Sequence, residues 1–303
     1  MQTTLRREFS LVGTGLHSGR PARLTVRPAI AEHGIWFKRV DVRDRDALVP
    51  AAWDAVSDTT LNTRIANASG VTVSTIEHLM AALSGCGVSN ALVEIDGPEV
   101  PIMDGSARVF VDAIRATGLR SLNAPRRVIR VRKRVEVEQG GARAILEPAD
   151  RLEIDFEIEF ADAAIGHQHK ALSMVNGTFA DQLSDSRTFC RQEEVDMMRA
   201  RGLALGGTLE NAIVVEDGRV LNPEGFRHAD ECVRHKMLDA VGDLALAGAP
   251  IIGRYTGIRA GHGLTNKLLR KLFLTDGAIE FVTAAEDAPY LQGFHQPALG
   301  LAV

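Results

Sequence analysis

Apolar and polar positions along this chain follow two different periods. Over residues 152–160 the period is two. Leu152, Ile154, Phe156, Ile158 and Phe160 fall on one face, and Glu153, Asp155, Glu157 and Glu159 on the other. This predicts a strand of a sheet that is packed on one side and wet on the other. Strand-like segments also occur near residues 5–13, 22–27, 34–40, 90–95 and 128–137, with Gly140-Gly141 as the turn into a partner strand over 142–146. Residues 212–215 and 219–221 flank Asp217-Gly218 and predict a β-hairpin. Elsewhere the period is helical. Ile76, Leu79, Met80 and Leu83 predict a helix over 74–83, and a second is expected over 106–117. A longer helix over 228–247 should stop at Gly248 with Pro250 beyond it. A last helix is expected from Thr265, as N-cap, to residue 274.

Strands and helices mixed in this way predict an α/β (α+β) protein. The length of 303 residues favours about two domains. A polar stretch with Pro125, residues 121–127, separates a helix from a new run of strands. The expected boundary therefore divides residues 1–122 from 123–303, each a two-layer α/β unit of similar build. A net charge of −4 and few aromatics argue against a nucleic-acid partner. No apolar run reaches the roughly 18 residues of a membrane span, and the first residues carry no secretory signal. Cys86, Cys190 and Cys232 are far apart and form no CxxC, which fits a reducing, cytoplasmic setting. Any metal site must then draw on His and carboxylates.

The longer helix offers such a set. His235, Asp239 and Asp243 are spaced by four and so lie along one face, while Met237, Leu238, Val241 and Leu244 can bury the others. An imidazole and a carboxylate four apart can share one zinc ion, but they are also common as a solvent-exposed hydrogen-bonded pair. A third ligand would decide, and His78, preceded by Glu77, is the candidate. The alternative is a capping box, with Ser74 capping the helix and Glu77 answering it. A catalytic zinc needs three protein ligands, an open position and a nearby base. His78, His235 and Asp239 would be the ligands and Glu77 the base. His262, flanked by Gly261 and Gly263, is either a loop residue or an imidazolium facing the metal that Asp243 holds in place. A zincin peptidase fits poorly, because no HExxH is present. A non-enzymatic module with structural His–Asp bonds stays open.

Several blocks, in order, resemble one family over essentially the whole chain. They are Gly13-Thr14-Gly15-Leu16-His17-Ser18-Gly19, Ser74-Thr75-Ile76-Glu77-His78-Leu79 and Pro101-Ile102-Met103-Asp104-Gly105-Ser106. Ser186-Arg187-Thr188-Phe189, the run from Val233 to Asp243, and Gly261-His262 follow. The chain resembles the UDP-3-O-acyl-N-acetylglucosamine deacetylases, which commit lipid A biosynthesis. The resemblance implies a hydrolase with Zn2+, or Fe2+, held by His78, His235 and Asp239. It implies Glu77 as general base, His262 as an assisting cation and Thr188 as an oxyanion donor. Lys236 would bind the polar part of an acylated UDP-amino sugar. A β-α-β insert in the second domain, near residues 188–207, would line an acyl passage with Phe189, Val195, Met198 and Ala204, and Phe160 would stack on uracil. Asn62 and Arg64 stand where some members carry cysteines. A monomer without stable membrane insertion is expected. No P-loop or Rossmann fingerprint is present, so nucleotide recognition rests on the resemblance alone.

Overall fold

The computed structural model describes residues 1–175 and 177–284; the remainder of the expected second unit, 285–303, lies outside the described residues. In chain order the first part holds β1 (Thr3–Leu5), β2 (Phe9–Thr14), β3 (Pro21–Pro28), β4 (Ile35–Arg39) and β5 (Leu48–Pro50). Then come β6 (Val56–Asp58), β7 (Arg64–Ala66), β8 (Thr72–Val73), α1 (Glu77–Gly85), β9 (Ala91–Ile95), α2 (Arg108–Thr117) and β10 (Leu119–Ser121). A five-stranded sheet runs β2-β3-β9-β4-β5 and is antiparallel except where β4 lies parallel to β9. A small antiparallel sheet, β6-β7-β8, stands just ahead of α1.

The second part holds β11 (Arg127–Val131), β12 (Val135–Gln139), β13 (Ala142–Glu147), β14 (Leu152–Glu159), β15 (His167–Ser173), α3 (Thr178–Gln182), β16 (Phe189–Arg191) and α4 (Gln192–Ala200). After these come β17 (Ile213–Glu216), β18 (Arg219–Val220), α5 (Glu231–Ala245), β19 (Ile251–Ile258), α6 (His262–Leu274) and β20 (Ile279–Thr283). Strand β19 organises a seven-stranded sheet, pairing antiparallel with β13 and parallel with β14 and β11. The alternation in β14 is as expected. Ile154, Phe156 and Ile158 are buried, and the acidic residues between them face outward. Gly257 sits under Phe156, where a Cβ would lie 2.6 Å from the ring. The segment from β16 through α4 to β17, with β16 parallel to β17, forms the β-α-β insert. It is stitched to the first part by Gly206 N–H donating to Leu16 O at 3.0 Å.

The two parts meet where α1 packs on α5. Both helices are buried over most of their length, so their apolar residues form one continuous core with the faces of both large sheets. Gly242 makes the crossing possible, since a Cβ there would lie 2.1 Å from Glu77 O. Among the described residues no helix is long and apolar enough to cross a membrane.

The segment near 5–13 divides into β1 and β2, α2 starts at Arg108 and not at 106, and α5 spans Glu231–Ala245 within the expected 228–247. Three further differences each have a local reason. Helix α1 starts at Glu77, not at residue 74. Thr75 has φ +57°, and the Ser74 hydroxyl donates to Pro98 O, so neither residue can continue or cap a helix. Helix α6 starts at His262 with Gly261 as N-cap, because the Thr265 hydroxyl turns inward to Tyr255 Oη at 3.0 Å. The run over 128–137 breaks into β11 and β12, which pair with different neighbours.

Candidate active site

Helix α1 begins at Glu77, so Glu77 and His78 sit in its first turn, against α5 and buried at 4% exposure each. On α5, one face carries His235, Asp239 and Asp243, also buried. The crossing fixed by Gly242 brings the first turn of α1 beside this face. His78 Nε2 lies 3.6 Å from Asp239 Oδ1, and His235 Nε2 lies 3.4 Å from the same oxygen. The imidazole rings are perpendicular, with centroids 5.0 Å apart. One ligand atom from each of the three residues falls within 4.8 Å of the other two.

Two observations test whether this set suits a metal ion. Asp239 Oδ1 is buried and has no hydrogen-bond partner, an expensive state for a carboxylate oxygen unless something else coordinates it. His235 Nδ1 donates to Ser186 O at 3.0 Å, which assigns the tautomer and leaves the Nε2 lone pair facing Asp239. Burial pushes the His235 imidazole down to about 4, so it is a neutral donor at physiological pH. Burial opposes ionisation of Asp239, but His235 and the Lys236 ammonium, 2.8 Å from Oδ2, hold its carboxyl well below the usual range. Two imidazoles and one carboxylate fit a divalent ion of the zinc or ferrous type.

Around this set lies a chain of polar contacts. His262, at the first position of α6, places Nδ1 2.8 Å from Asp243 Oδ2. Its Nε2 is 3.9 Å from Glu77 Oε1 and 4.0 Å from Asp239 Oδ2. Burial would lower the His262 pKa, but Asp243, with Asp239 and Glu77 behind it, outweighs burial and raises it to about 9. Burial raises the Glu77 pKa, against the pull of His262 and His78. The second oxygen, Glu77 Oε2, accepts Thr63 N–H at 3.1 Å.

The site opens on a cavity of about 710 Å³. Glu77, His78, His235, Lys236, Asp239, His262 and Thr188 are among its lining residues, together with Phe160, Phe189, Val195, Met198 and Ala204. Asp243 does not reach the cavity; it stands behind His262, 3% exposed. Thr188 is held by its amide, which donates to Gly105 O at 2.8 Å. Below it the buried Arg187 guanidinium clasps Glu231, the first residue of α5, at 2.9 Å. Phe160 and Phe189 meet edge to face at 5.4 Å.

Two residues at the site escaped the sequence reading. Thr63 bonds both Glu77 and Asp243, the latter 180 positions away, and no local pattern signals that. His17, given no role within the Gly13–Gly19 block, lines the cavity with both ring nitrogens buried and without hydrogen-bond partners. Burial lowers its pKa, against the influence of Glu99, whose carboxylate accepts the His17 amide at 2.8 Å.

Comparison with known proteins adds a finding independent of this geometry. A family model of UDP-3-O-acyl N-acetylglycosamine deacetylase matches residues 2–274. A Phenylobacterium zucineum protein named UDP-3-O-acyl-N-acetylglucosamine deacetylase is 51% identical over 286 residues, covering 94% of this chain and 98% of the relative. Proteins of the same name from Pseudoalteromonas atlantica and Pasteurella multocida are 44% and 43% identical, covering 93% and 98% of this chain and 93% and 97% of their own lengths.

Proposed function

We infer how this chain, which belongs to the UDP-3-O-acyl N-acetylglycosamine deacetylase family, distributes the work of its reaction among its residues. The reaction is hydrolysis of the acetamide of UDP-3-O-acyl-N-acetylglucosamine, giving the free amine and acetate, a step of lipid A biosynthesis. The observation that carries the reading is the orphaned, buried Asp239 Oδ1 facing two imidazole nitrogens. His78, His235 and Asp239 would hold the metal, with zinc preferred and ferrous iron the alternative. When loaded, that seat supplies Lewis acidity to water and to the acetamide carbonyl.

The chain's own groups do the rest. Glu77 accepts the proton of the attacking water through Oε1, the oxygen that Thr63 leaves free; burial, by raising its pKa, makes it a better base. As the C–N bond breaks, the departing amine takes a proton from Glu77 or His262. His262, kept cationic by Asp243, faces the negative charge that develops on the acetamide oxygen. The Thr188 hydroxyl, in the same wall, donates to that oxygen. Lys236 binds the polar head of the substrate, Phe160 stacks on the uracil, and Phe189, Val195, Met198 and Ala204 receive the acyl chain. Every group comes from one chain, so a monomer suffices, and a cytoplasmic location suits a chain with three free cysteines.

Metal analysis with an acetate-release assay tests the reading. Wild type should bind zinc and lose activity on stringent chelation, and Asp239→Ala should retain neither metal nor activity. Full turnover by the chelated wild type would defeat it.

A further inference from the structure

We propose that Thr63 is a positioning residue that sets the general base and the histidine cation from a single point. The inference rests on the roles given above to Glu77 and His262. Thr63 is 2% exposed and directs all three of its polar groups inward. Its N–H donates to Glu77 Oε2 at 3.1 Å, and its hydroxyl donates to Asp243 Oδ1 at 2.6 Å. Its carbonyl accepts Ile76 N–H at 3.4 Å, at the residue that precedes α1.

Each contact removes a freedom that the reaction needs removed. With Oε2 engaged, the Glu77 carboxylate cannot rotate its other oxygen away, so Oε1 remains the one facing His262 Nε2. Asp243 has both oxygens committed, one to the Thr63 hydroxyl and one to His262 Nδ1. The imidazole can then only present Nε2–H to the cavity. Without the Thr63 hydroxyl, Asp243 would pivot about its remaining bond and carry the ring with it. The point itself is firm. β7 begins at the next residue and is paired on both edges, while Asn62 Oδ1 accepts Thr75 N–H at 3.3 Å. The start of α6 lies close by, since a Cβ at Gly263 would be 3.1 Å from Thr59 Oγ1.

The test uses the metal-loaded full chain. Thr63→Val keeps the amide and the shape and deletes only the hydroxyl. Its kcat should fall about 10–100-fold, as for other residues that orient a metal-site group. KM should stay within roughly two-fold, because the substrate contacts are untouched. Thr63→Ser should recover most of the rate. In a His262→Gln background, Thr63→Val should add less than about three-fold, since its effect passes through that imidazole. In the metal-free protein, the His262 ring nitrogen resonances should move in Thr63→Val and not in Thr63→Ser. Wild-type kcat in Thr63→Val, or a full further loss in the His262→Gln background, would overturn the proposal. If Thr63→Val does not fold, Thr63→Ala against Thr63→Ser makes the same comparison. Wild-type turnover in Glu77→Gln or His262→Gln would instead remove the reading on which the proposal rests.

Discussion

Where α1 crosses α5, backbone touches backbone. Gly242 has no room for a methyl group, all but the last two residues of α1 are buried, and Glu77, Asp243 and His262 are tied together through Thr63 and the His262–Asp243 pair. Across the same cavity, α4 buries only Val195, Met197 is half exposed, and Ala204 holds a left-handed conformation at φ +52°. The first region is over-determined and the second is loosely supported. Chemistry needs atoms placed to within a fraction of an ångström, whereas an alkyl chain needs only a dry surface of about the right length. Under the proposed assignment of roles, one chain puts each requirement on the part of the fold whose packing can meet it.

The largest effect should come from the tight region. Glu77→Gln keeps shape and burial and removes the base, so kcat should fall about 10²–10⁴-fold. Metal content and KM should hold. A loss of metal as well would mean that Glu77 serves the ligand set and not the proton. Thr188→Ala comes next, at about 10²–10³-fold in kcat, the usual cost of one oxyanion donor. Thr188 sits at the border between the two regions. An unchanged turnover would move the border and leave the insert with no part in the chemistry.

The sequence made the tight region legible through helical spacing. Residues four apart on α5 had to share a face, and a helix with an apolar remainder had to be buried. What spacing could not supply was convergence. That His78 meets His235 depends on Gly242, a residue whose absent side chain carries no signal in a single sequence. Ser74 and Glu77 matched a capping box, yet the serine is diverted to Pro98 and the glutamate to Thr63. Thr265 looked like a cap and instead bonds Tyr255, so the last helix, expected to start at Thr265, opens at His262. In each case a distant partner outbid the local one. The insert was legible only through the family resemblance, because a residue lining a passage has the composition of one filling a core.

A moderate effect should appear in the pH dependence of the metal-free protein. His262 has a folded pKa of about 9, above its ordinary 6.5, so its ion pair with Asp243 stabilises the fold fully below about pH 6.5 and is lost as pH rises through 9. His235 behaves oppositely. Its pKa of about 4 means the unfolded chain takes up the proton first, and stability falls as pH drops from 6.5 towards 4. Thermal unfolding should therefore show a maximum near neutrality, with each limb amounting to about 1–3 kcal/mol. His262→Gln should abolish the alkaline limb alone. A bound divalent cation would repel the His262 proton, so loading should move that limb to lower pH. A limb that stays in place on loading would put the ion away from His262.

The smallest effect, and the one that sharpens the contrast most, belongs to the insert. Val195 is the only buried residue of α4 and borders the cavity, so Val195→Phe adds bulk to the passage without touching any group of the α1–α5 crossing. Overpacking on a half-exposed helix can be relieved by movement of α4, which a residue at Gly242 could not obtain. The expected outcome is a rise in KM of about ten-fold for the long-chain substrate, in line with a misfit of one or two methylenes. For a substrate with the acyl chain shortened, KM should rise less and kcat should stay at the wild-type value. If kcat instead fell equally for both substrates, the insert would be coupled to the chemistry. The division of labour between a rigid crossing and a tolerant wall would then be wrong.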